Sequence, residues 1–278
     1  MNEERDKGAG PFRSKLCREN RLFFHTGIGS VRMADGVSSL ILKKVYRSYM
    51  IFLGIILAGT MICGCNNGSQ DPSAGNRMSG DAVQLKVGET LSFGSYEQDN
   101  DPDNGAEPIE WQVLSVEDGR ALLISKFGLD AKVYNTTYIN VTWLRSTLRS
   151  WLNGEFYDTA FSPSEKARIA EVKISNQGNQ FSRARGGLPT KDRIFLLSFD
   201  EANSYFTDDD ARQCEATKYA KAKGAYVDGN GKSWWWLRTP GSKNSSAAIV
   251  LSVGYVSNVG HVVLDPSDLV RPVFWLNL

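Results

Sequence analysis

Alternating apolar and polar residues predict strands where the apolar-rich part of the chain begins. A period of two is typical of a strand with one buried face. It occurs in Val83–Val87, Thr90–Phe93, Ile109–Val116 and Ala121–Ser125. The last two segments flank Asp118–Gly119, a dipeptide that strongly favours a hairpin turn between apolar runs. We therefore predict a β-hairpin there.

Helical signals replace this alternation in the middle of the chain. Four segments carry them: residues 143–152, 162 to about 170, 198 to about 206, and 210–223. Ser162 precedes a proline at the first helical position, and Ser198 with Glu201 forms a capping box. Gly224 is placed to end the fourth helix. These four helices are predicted to be short.

The chain then returns to strand patterns punctuated by Gly and Asn. The predicted strands are Trp234–Arg238, Ala247–Val253, His261–Leu264 and Val270–Leu276. Strands, then helices, then strands, without regular alternation, predict an α+β fold with a mixed, mainly antiparallel sheet and several short helices. We assign residues 81–278 to a single globular domain.

An apolar run of roughly a dozen residues lies within Met50–Cys65, after Lys43, Lys44 and Arg47. It is too short to cross a hydrocarbon core of ~30 Å as a helix, but it has the length of a signal-peptide core. Its end, Ile62–Cys65, resembles the bacterial lipobox, whose last cysteine is lipidated. The resemblance implies a lipid on Cys65 and a location on the outer face of the bacterial cytoplasmic membrane.

The region before the lipobox admits two interpretations. Residues 1–41 either form a basic cytoplasmic tail, which would make Met50–Cys63 a short membrane anchor, or lie wholly or partly upstream of the true start. In the second case translation begins at Met33 or at Leu42, and we expect this second case. Residues 1–64 are therefore assigned to a leader and signal peptide. Residues 65–80, rich in Asn, Gly, Ser and Asp, are predicted to form a flexible tether.

The balance of basic and acidic residues differs between the leader and the rest of the chain. Residues 1–64 hold ten Lys/Arg and five Asp/Glu, whereas the rest holds 22 and 26. The mildly acidic remainder lacks the basic stripe that nucleic-acid binding requires and a polybasic patch for anionic lipid. We expect the membrane to be a partner through acyl chains, and we expect no nucleic-acid partner.

The cysteine and acidic residues after Cys65 do not predict a reactive thiol or a metal site. Cys214 is the one cysteine after Cys65, within a segment that looks helical, and a buried structural thiol is the favoured interpretation. Residues 99–110 carry acids at the spacing of a calcium loop, but Pro102 and Asn104 depart from that pattern. A solvated hairpin loop is the favoured alternative there, and we predict no metal and no cofactor.

The segment Trp234–Gly241 is rich in tryptophan. Because strand side chains alternate faces, Trp235 is predicted to point away from Trp234 and Trp236. The segment could be an aromatic platform for a ligand or a strand buried on both faces. The second interpretation is favoured.

Sequence blocks in a fixed order resemble a family of exported bacterial proteins. The blocks are Ile109–Trp111, Leu148–Asn153, Phe195–Ser198, Trp235–Gly241 and Val270–Leu276. The family is domain of unknown function 6273, and the resemblance covers about Val83 to Leu278 without implying any catalytic residue. It implies a structural motif made of Trp111, Trp151, Trp235, Trp236, Arg238, Pro240, Gly241, Arg271 and Pro272. For the two arginines, an internal acid or a tryptophan face is the favoured partner.

A looser resemblance concerns the fold. The tryptophan strand, the Gly-punctuated strands and the final Val–Arg–Pro strand are similar to the last third of C-type-lectin-like domains. This resemblance implies ligand recognition between Gly241 and Pro266. The candidate ligand-binding residues there are Lys243, Asn244, Tyr255, Asn258 and His261.

Ligand recognition outside the cell is therefore the expected function, with a glycan, a peptide or an envelope protein as partner. The first alternative is a hydrolase that acts on cell-wall or other carbohydrate, which needs two carboxyl groups roughly 5–10 Å apart across a cleft. The second alternative is a structural envelope protein without a pocket. No catalytic residue is predicted.

Substituting Cys65→Ser tests the anchor. We expect the variant to be released into the medium or to accumulate as an unprocessed precursor, because position 65 then offers no thiol for the acyl chain. Fractionation and intact-mass spectrometry measure this outcome. Retention of the processed variant in the membrane, with a mass that differs from that of the wild type only by the exchange of sulfur for oxygen, would contradict lipidation at Cys65.

Overall fold

Two sheets, one of four strands and one of five, organise the described part of the chain. The structure is a computed structural model and describes residues 85–278, which belong to a unit spanning Arg77–Leu278. In chain order its strands are β1 Thr90–Tyr96, β2 Glu107–Glu117, β3 Arg120–Ser125, β4 Asp130–Ala131, β5 Val172–Ile174, β6 Thr190–Asp192, β7 Cys214–Glu215, β8 Lys232–Ser233, β9 Trp235–Pro240, β10 Ser246–Val250, β11 Val256–Val262, β12 Leu269–Val270 and β13 Val273–Asn277.

The helices are short. They are α1 Thr147–Trp151, α2 Tyr157–Ala160, α3 Pro163–Lys166, α4 Phe199–Ser204, α5 Asp209–Arg212 and α6 Lys218–Ala222. A 3₁₀ turn, Trp143–Arg145, precedes α1, and a π-helical segment, Leu152–Phe156, joins α1 to α2. Within residues 85–278 no helix has both the length and the apolar character to cross a membrane.

The first sheet has the order β1-β2-β3-β13 and is antiparallel throughout. Asp118 and Gly119 connect β2 to β3 with positive φ angles of 50° and 71°. Two successive positive φ angles define the primed turn that matches strand twist. The predicted hairpin is confirmed.

The second sheet has the order β11-β10-β9-β12-β4. Its pairings are antiparallel except between β12 and β9, where Leu269 faces Trp235 in parallel. The mainly antiparallel sheets and the short helices confirm the predicted mixed α and β class. Trp235 and Trp236 are both fully buried in β9, as expected for a strand covered on both faces.

An aromatic cluster fills the core beneath the first sheet. The rings of Trp111 and Phe274 meet edge-on with centroids 4.7 Å apart, and Phe161 and Phe93 lie within 5.7 Å of the Phe274 ring. The Trp111 indole N–H donates to the carbonyl of Phe93. Such pairs add about 0.5–1.5 kcal/mol each beyond their buried area.

The C-terminal segment belongs to both sheets. β12 pairs in the second sheet and β13 in the first, with only Arg271–Pro272 between them. The Arg271 side chain is buried, donates from Nε to the Ser125 carbonyl at 2.8 Å, and lies 5.1 Å from the Trp235 ring. Burial lowers the pKa of this guanidinium. A buried cation therefore fixes the crossing between the sheets.

Arg238 on β9 ties the second sheet to α4. It is 4% exposed and forms a two-pronged ion pair with Glu201, the acid of the α4 capping box. Its Nη1 also donates to the Leu196 carbonyl at 2.8 Å. Charge-assisted, bidentate pairs of this kind are among the stronger hydrogen-bonded contacts in proteins.

The predicted helix over residues 143–152 is wrong in its bounds. Ser146 has an extended backbone (ψ 141°) and its hydroxyl accepts from the Arg149 N–H, so the helix begins at Thr147. A serine at this position competes for backbone hydrogen bonds and favours a cap over a helix interior. The helical path then continues through the π segment to Ala160.

The predicted helix over residues 210–223 is also wrong. Gln213 is extended, and Cys214–Glu215 pairs with Lys232–Ser233 as a short antiparallel ladder. Thr217 then caps α6 by accepting from the Ala220 N–H. Cys214 therefore lies on a strand, where burial raises the pKa of its thiol.

Smaller differences concern element ends. Leu85–Val87 forms no strand, and the rest of that prediction lies outside the described residues. The helices capped by Ser162 and Ser198 form but end at Lys166 and Ser204. The predicted strand Val270–Leu276 is interrupted because Pro272 has no N–H to pair.

The substitution Arg271→Lys tests the crossing. Lysine has no planar group to stack on Trp235, so its ammonium cannot replace both this contact and the hydrogen bond to the Ser125 carbonyl. We therefore expect the free energy of unfolding to fall by on the order of 2 kcal/mol. Urea unfolding followed by tryptophan fluorescence measures it. The control is Arg120→Lys, whose guanidinium lies 5.5 Å from Trp275 at a half-exposed position. We expect less than about 0.5 kcal/mol there; equal losses would contradict the account.

Candidate functional site

His261 lies near the end of β11, beside β10. Its ring meets Trp234 edge-on at 4.8 Å and Trp236 at 6.4 Å between centroids. Trp234, which immediately precedes β9, and Trp236 on β9 therefore face the same side, as the alternation predicted. The Tyr226 ring stacks on Trp234, with 3.8 Å between the ring centroids. About a quarter of the His261 side chain remains exposed.

Asp268 orients this histidine through a hydrogen bond at Nδ1. It directly precedes β12, is fully buried, and its Oδ2 lies 2.8 Å from Nδ1 of His261. The Asp268 Oδ1 atom is buried and has no hydrogen-bond partner among the described residues. Burial raises the pKa of this carboxyl, and the hydrogen bond to Asp268 raises the pKa of His261.

Asp265 completes a cluster of three titratable groups. Its Oδ1 accepts from the Ser267 N–H at 2.9 Å and from the Ser267 hydroxyl at 2.6 Å. Its Oδ2 lies 3.9 Å from Nδ1 of His261. The turn between β11 and β12 therefore brings an imidazole and two carboxylates together, within 4.8 Å of one another.

A cavity of about 300 Å³ opens next to this cluster. Lys132, Trp151, Thr136, Thr147 and Pro266 contribute to its lining, and Pro266 follows Asp265 in the chain. The Lys132 ammonium lies 4.6 Å from the centre of the Trp151 ring and 3.6 Å from a buried carboxylate, that of Asp130.

The Lys132 backbone joins the cavity to the cluster. Its N–H donates to the Asp268 carbonyl at 3.4 Å, and its carbonyl accepts from the Trp236 indole at 2.8 Å. Cluster and cavity therefore share β4 and β12 as a common support. An oriented imidazole with a free edge can serve as a base or a ligand, and the cavity can hold a small molecule.

The other predicted ligand-binding residues lie away from the cluster. Lys243 is exposed, and Asn244 exchanges hydrogen bonds with the Arg185 backbone at 2.7 and 3.1 Å. The Asn258 carbonyl accepts from the Asn179 side chain at 2.7 Å. Tyr255 is 56% exposed at the opposite end of β11, roughly 20 Å along the strand from the histidine. Of the five, only His261 joins the cluster.

The predicted structural motif lies mostly in the interior. Its members Trp111, Trp235, Trp236, Arg238, Pro240, Gly241, Arg271 and Pro272 are buried, and Trp151 is half-buried at the cavity. A Cβ on Gly241 would lie only 2.4 Å from the Val259 carbonyl oxygen, so the close approach requires glycine.

The acidic loop after β1 gathers a second cluster. The carboxylates of Glu97, Asp99 and Glu107 lie within 4.8 Å of one another. The backbone N–H groups of Gln98 and Asp99 donate to Glu107, and that of Asp101 donates to Asp99. These acids accept bonds from their own loop and are partly exposed, which explains the cluster without an ion.

Sequence reasoning missed Asp265, Asp268, Lys132 and Trp151 as neighbours of one site. The available signal was the spacing of His261, Asp265 and Asp268, at i, i+4 and i+7, across a Pro-Ser turn. This spacing became informative only once the turn was known to fold back on β11. Cys65 and the lipobox lie outside the described residues.

A family model described as Domain of unknown function (DUF6273) matches residues 118–278. The predicted family resemblance is confirmed over that range, which contains the histidine cluster and the cavity but not β1 and β2. Neither the curated proteins nor the solved structures contain a match to the chain.

Proposed function

We propose, on the premise that this chain belongs to the DUF6273 family, that it recognises a short saccharide. The observation that carries the proposal is the cavity lined by Lys132, Trp151, Thr136, Thr147 and Pro266. Its volume of about 300 Å³ lies at the lower end of the range for small-molecule sites. A short ligand therefore fits better than a folded partner.

The chemistry of the lining favours an uncharged polar ligand. Trp151 and Pro266 offer apolar surface for the C–H faces of a sugar ring. Lys132 and the two threonines offer donors for its hydroxyls. Because Asp130 already balances the Lys132 charge, an anionic ligand gains less here than a neutral one.

The proposed setting is the outer face of the bacterial cytoplasmic membrane, with the protein held by a lipid on Cys65. The basic residues, the short apolar run and the lipobox-like end support this location. The proposed fold relationship is to C-type-lectin-like domains. It is supported by the buried tryptophan strand β9 and by the terminal strand that joins both sheets.

The two alternatives have less support. A glycosidase needs carboxyl groups roughly 5–10 Å apart on either side of a substrate, whereas Asp265 and Asp268 lie against the same histidine within 4.8 Å. A purely structural envelope protein does not need a cavity with convergent donors. The half-exposed stack of Tyr226 on Trp234 also favours recognition.

A glycan array probed with the purified full chain, followed by titration of the best ligand, tests this function. Thr136→Val should weaken binding about tenfold, because it removes one hydroxyl that makes no side-chain hydrogen bond within the described residues. Lys132→Met should weaken it at least as much. Phe181→Ala, which changes a 63% exposed aromatic residue outside the cavity, is the matched control.

Three outcomes would contradict the proposal. Wild-type protein that binds no glycan would reject saccharide recognition. Loss of binding in Tyr255→Ala or Asn258→Ala, with Thr136→Val and Lys132→Met unaffected, would move the site to the surface that carries Tyr255 and Asn258. Cleavage of the bound saccharide would favour the hydrolase.

A further inference from the structure

We propose that His261, Asp265 and Asp268 bind a divalent first-row transition-metal ion. The inference is independent of saccharide recognition, since it uses different side chains. One imidazole nitrogen and two carboxylates can each offer a ligand atom, and these atoms lie within 4.8 Å of one another. Imidazole favours transition metals, whereas carbonyl and carboxylate oxygens alone favour calcium or magnesium.

The distances suit one ion. Metal–ligand bonds of about 2.0–2.2 Å place neighbouring ligand atoms roughly 3.0–3.5 Å apart in tetrahedral or octahedral sites. Nδ1 of His261 lies 2.8 Å from Asp268 Oδ2 and 3.9 Å from Asp265 Oδ2. The ligand atoms of Asp265 and Asp268 lie within 4.8 Å of each other, and rotation of the partly exposed Asp265 and His261 side chains would bring all three ligand atoms to one ion. The ion would take the place of the proton between Nδ1 and Oδ2, and that proton would be released to solvent.

A second, independent observation supports a cation ligand at this cluster. Asp268 is fully buried, and its Oδ1 has no partner in the described part of the chain. Among these residues no lysine or arginine lies within ion-pair distance of Asp265 or Asp268, so His261 is the one basic side chain that pairs with them. A buried carboxylate with one unpartnered oxygen carries a desolvation cost. A bound divalent cation would offset that cost.

The surroundings resemble those of a supported metal site. Ser267 holds Asp265 Oδ1 with two hydrogen bonds, which leaves Oδ2 directed at the histidine. Asp268 is fixed by its position before β12, and the tryptophans orient the imidazole. Such neighbours position ligands in known metal sites. The partial exposure of His261 and Asp265, 25% and 29%, provides an entry path and room for a water ligand.

The acidic cluster of Glu97, Asp99 and Glu107 lacks these features. It offers only oxygen, and its carboxylates already accept backbone N–H groups. It therefore serves as the matched control for a nonspecific effect of acidic residues.

Calorimetric titration of the metal-stripped full chain in detergent with Zn²⁺ tests the proposal. We expect one Zn²⁺ site that Asp265→Asn and His261→Gln each weaken at least tenfold, whereas Glu107→Gln leaves it unchanged. Ca²⁺ should bind this site at least tenfold more weakly than Zn²⁺. Asp265→Asn keeps the Ser267 hydrogen bonds and is partly exposed, so it remains informative if His261→Gln fails to fold; circular dichroism of each variant checks this.

The proposal would be overturned if wild-type protein bound no Zn²⁺. It would also be overturned if Asp265→Asn bound Zn²⁺ with the wild-type affinity and stoichiometry. In that case any zinc observed would belong to other ligands, such as His25 or the cysteines of residues 1–84. Loss of Zn²⁺ binding with glycan binding retained would separate this inference from the proposed function.

Discussion

The buried guanidinium of Arg271 is the contact on which the arrangement of the two sheets depends. The chain passes from β12 in one sheet to β13 in the other within two residues, and Arg271 occupies that step. It reaches the end of β3 through Ser125 and lies over Trp235 of β9. The Arg271 guanidinium therefore contacts β3 of the first sheet and β9 of the second sheet. No carboxylate within the described residues pairs with it, so carbonyl and ring faces stabilise the charge.

The histidine cluster follows from this crossing. Because Asp268 immediately precedes β12, the register that seats Leu269 opposite Trp235 also seats the Asp268 carboxylate under His261. The neighbouring β4, paired with β12, carries Lys132 at its end and thereby the cavity. The packing of the core therefore places the buried Asp268 carboxylate next to the partly exposed His261 ring. The proposed ligand and the proposed ion each use groups that this scaffold holds in place.

Local signals in the sequence predicted local structure well. Asp118–Gly119 and the serine caps at 162 and 198 act within a few residues, and all three formed as predicted. The helix predicted around Cys214 did not form, because Cys214 lies on a strand that pairs with Ser233, nineteen residues later in the chain. The site shows the same limit. His261 was named as a polar residue in the segment that the C-type-lectin-like resemblance favours, whereas Asp268 became its partner only through the turn and the crossing, which no short pattern encodes.

Anomalous X-ray diffraction from crystals of the full chain grown with Zn²⁺ tests most directly whether this scaffold builds a cation site. The account predicts a zinc peak about 2.0–2.2 Å from His261 Nδ1 and from one oxygen each of Asp265 and Asp268, with β12 unmoved. An intact hydrogen bond between His261 and Asp268, with no anomalous density at the cluster, would contradict it.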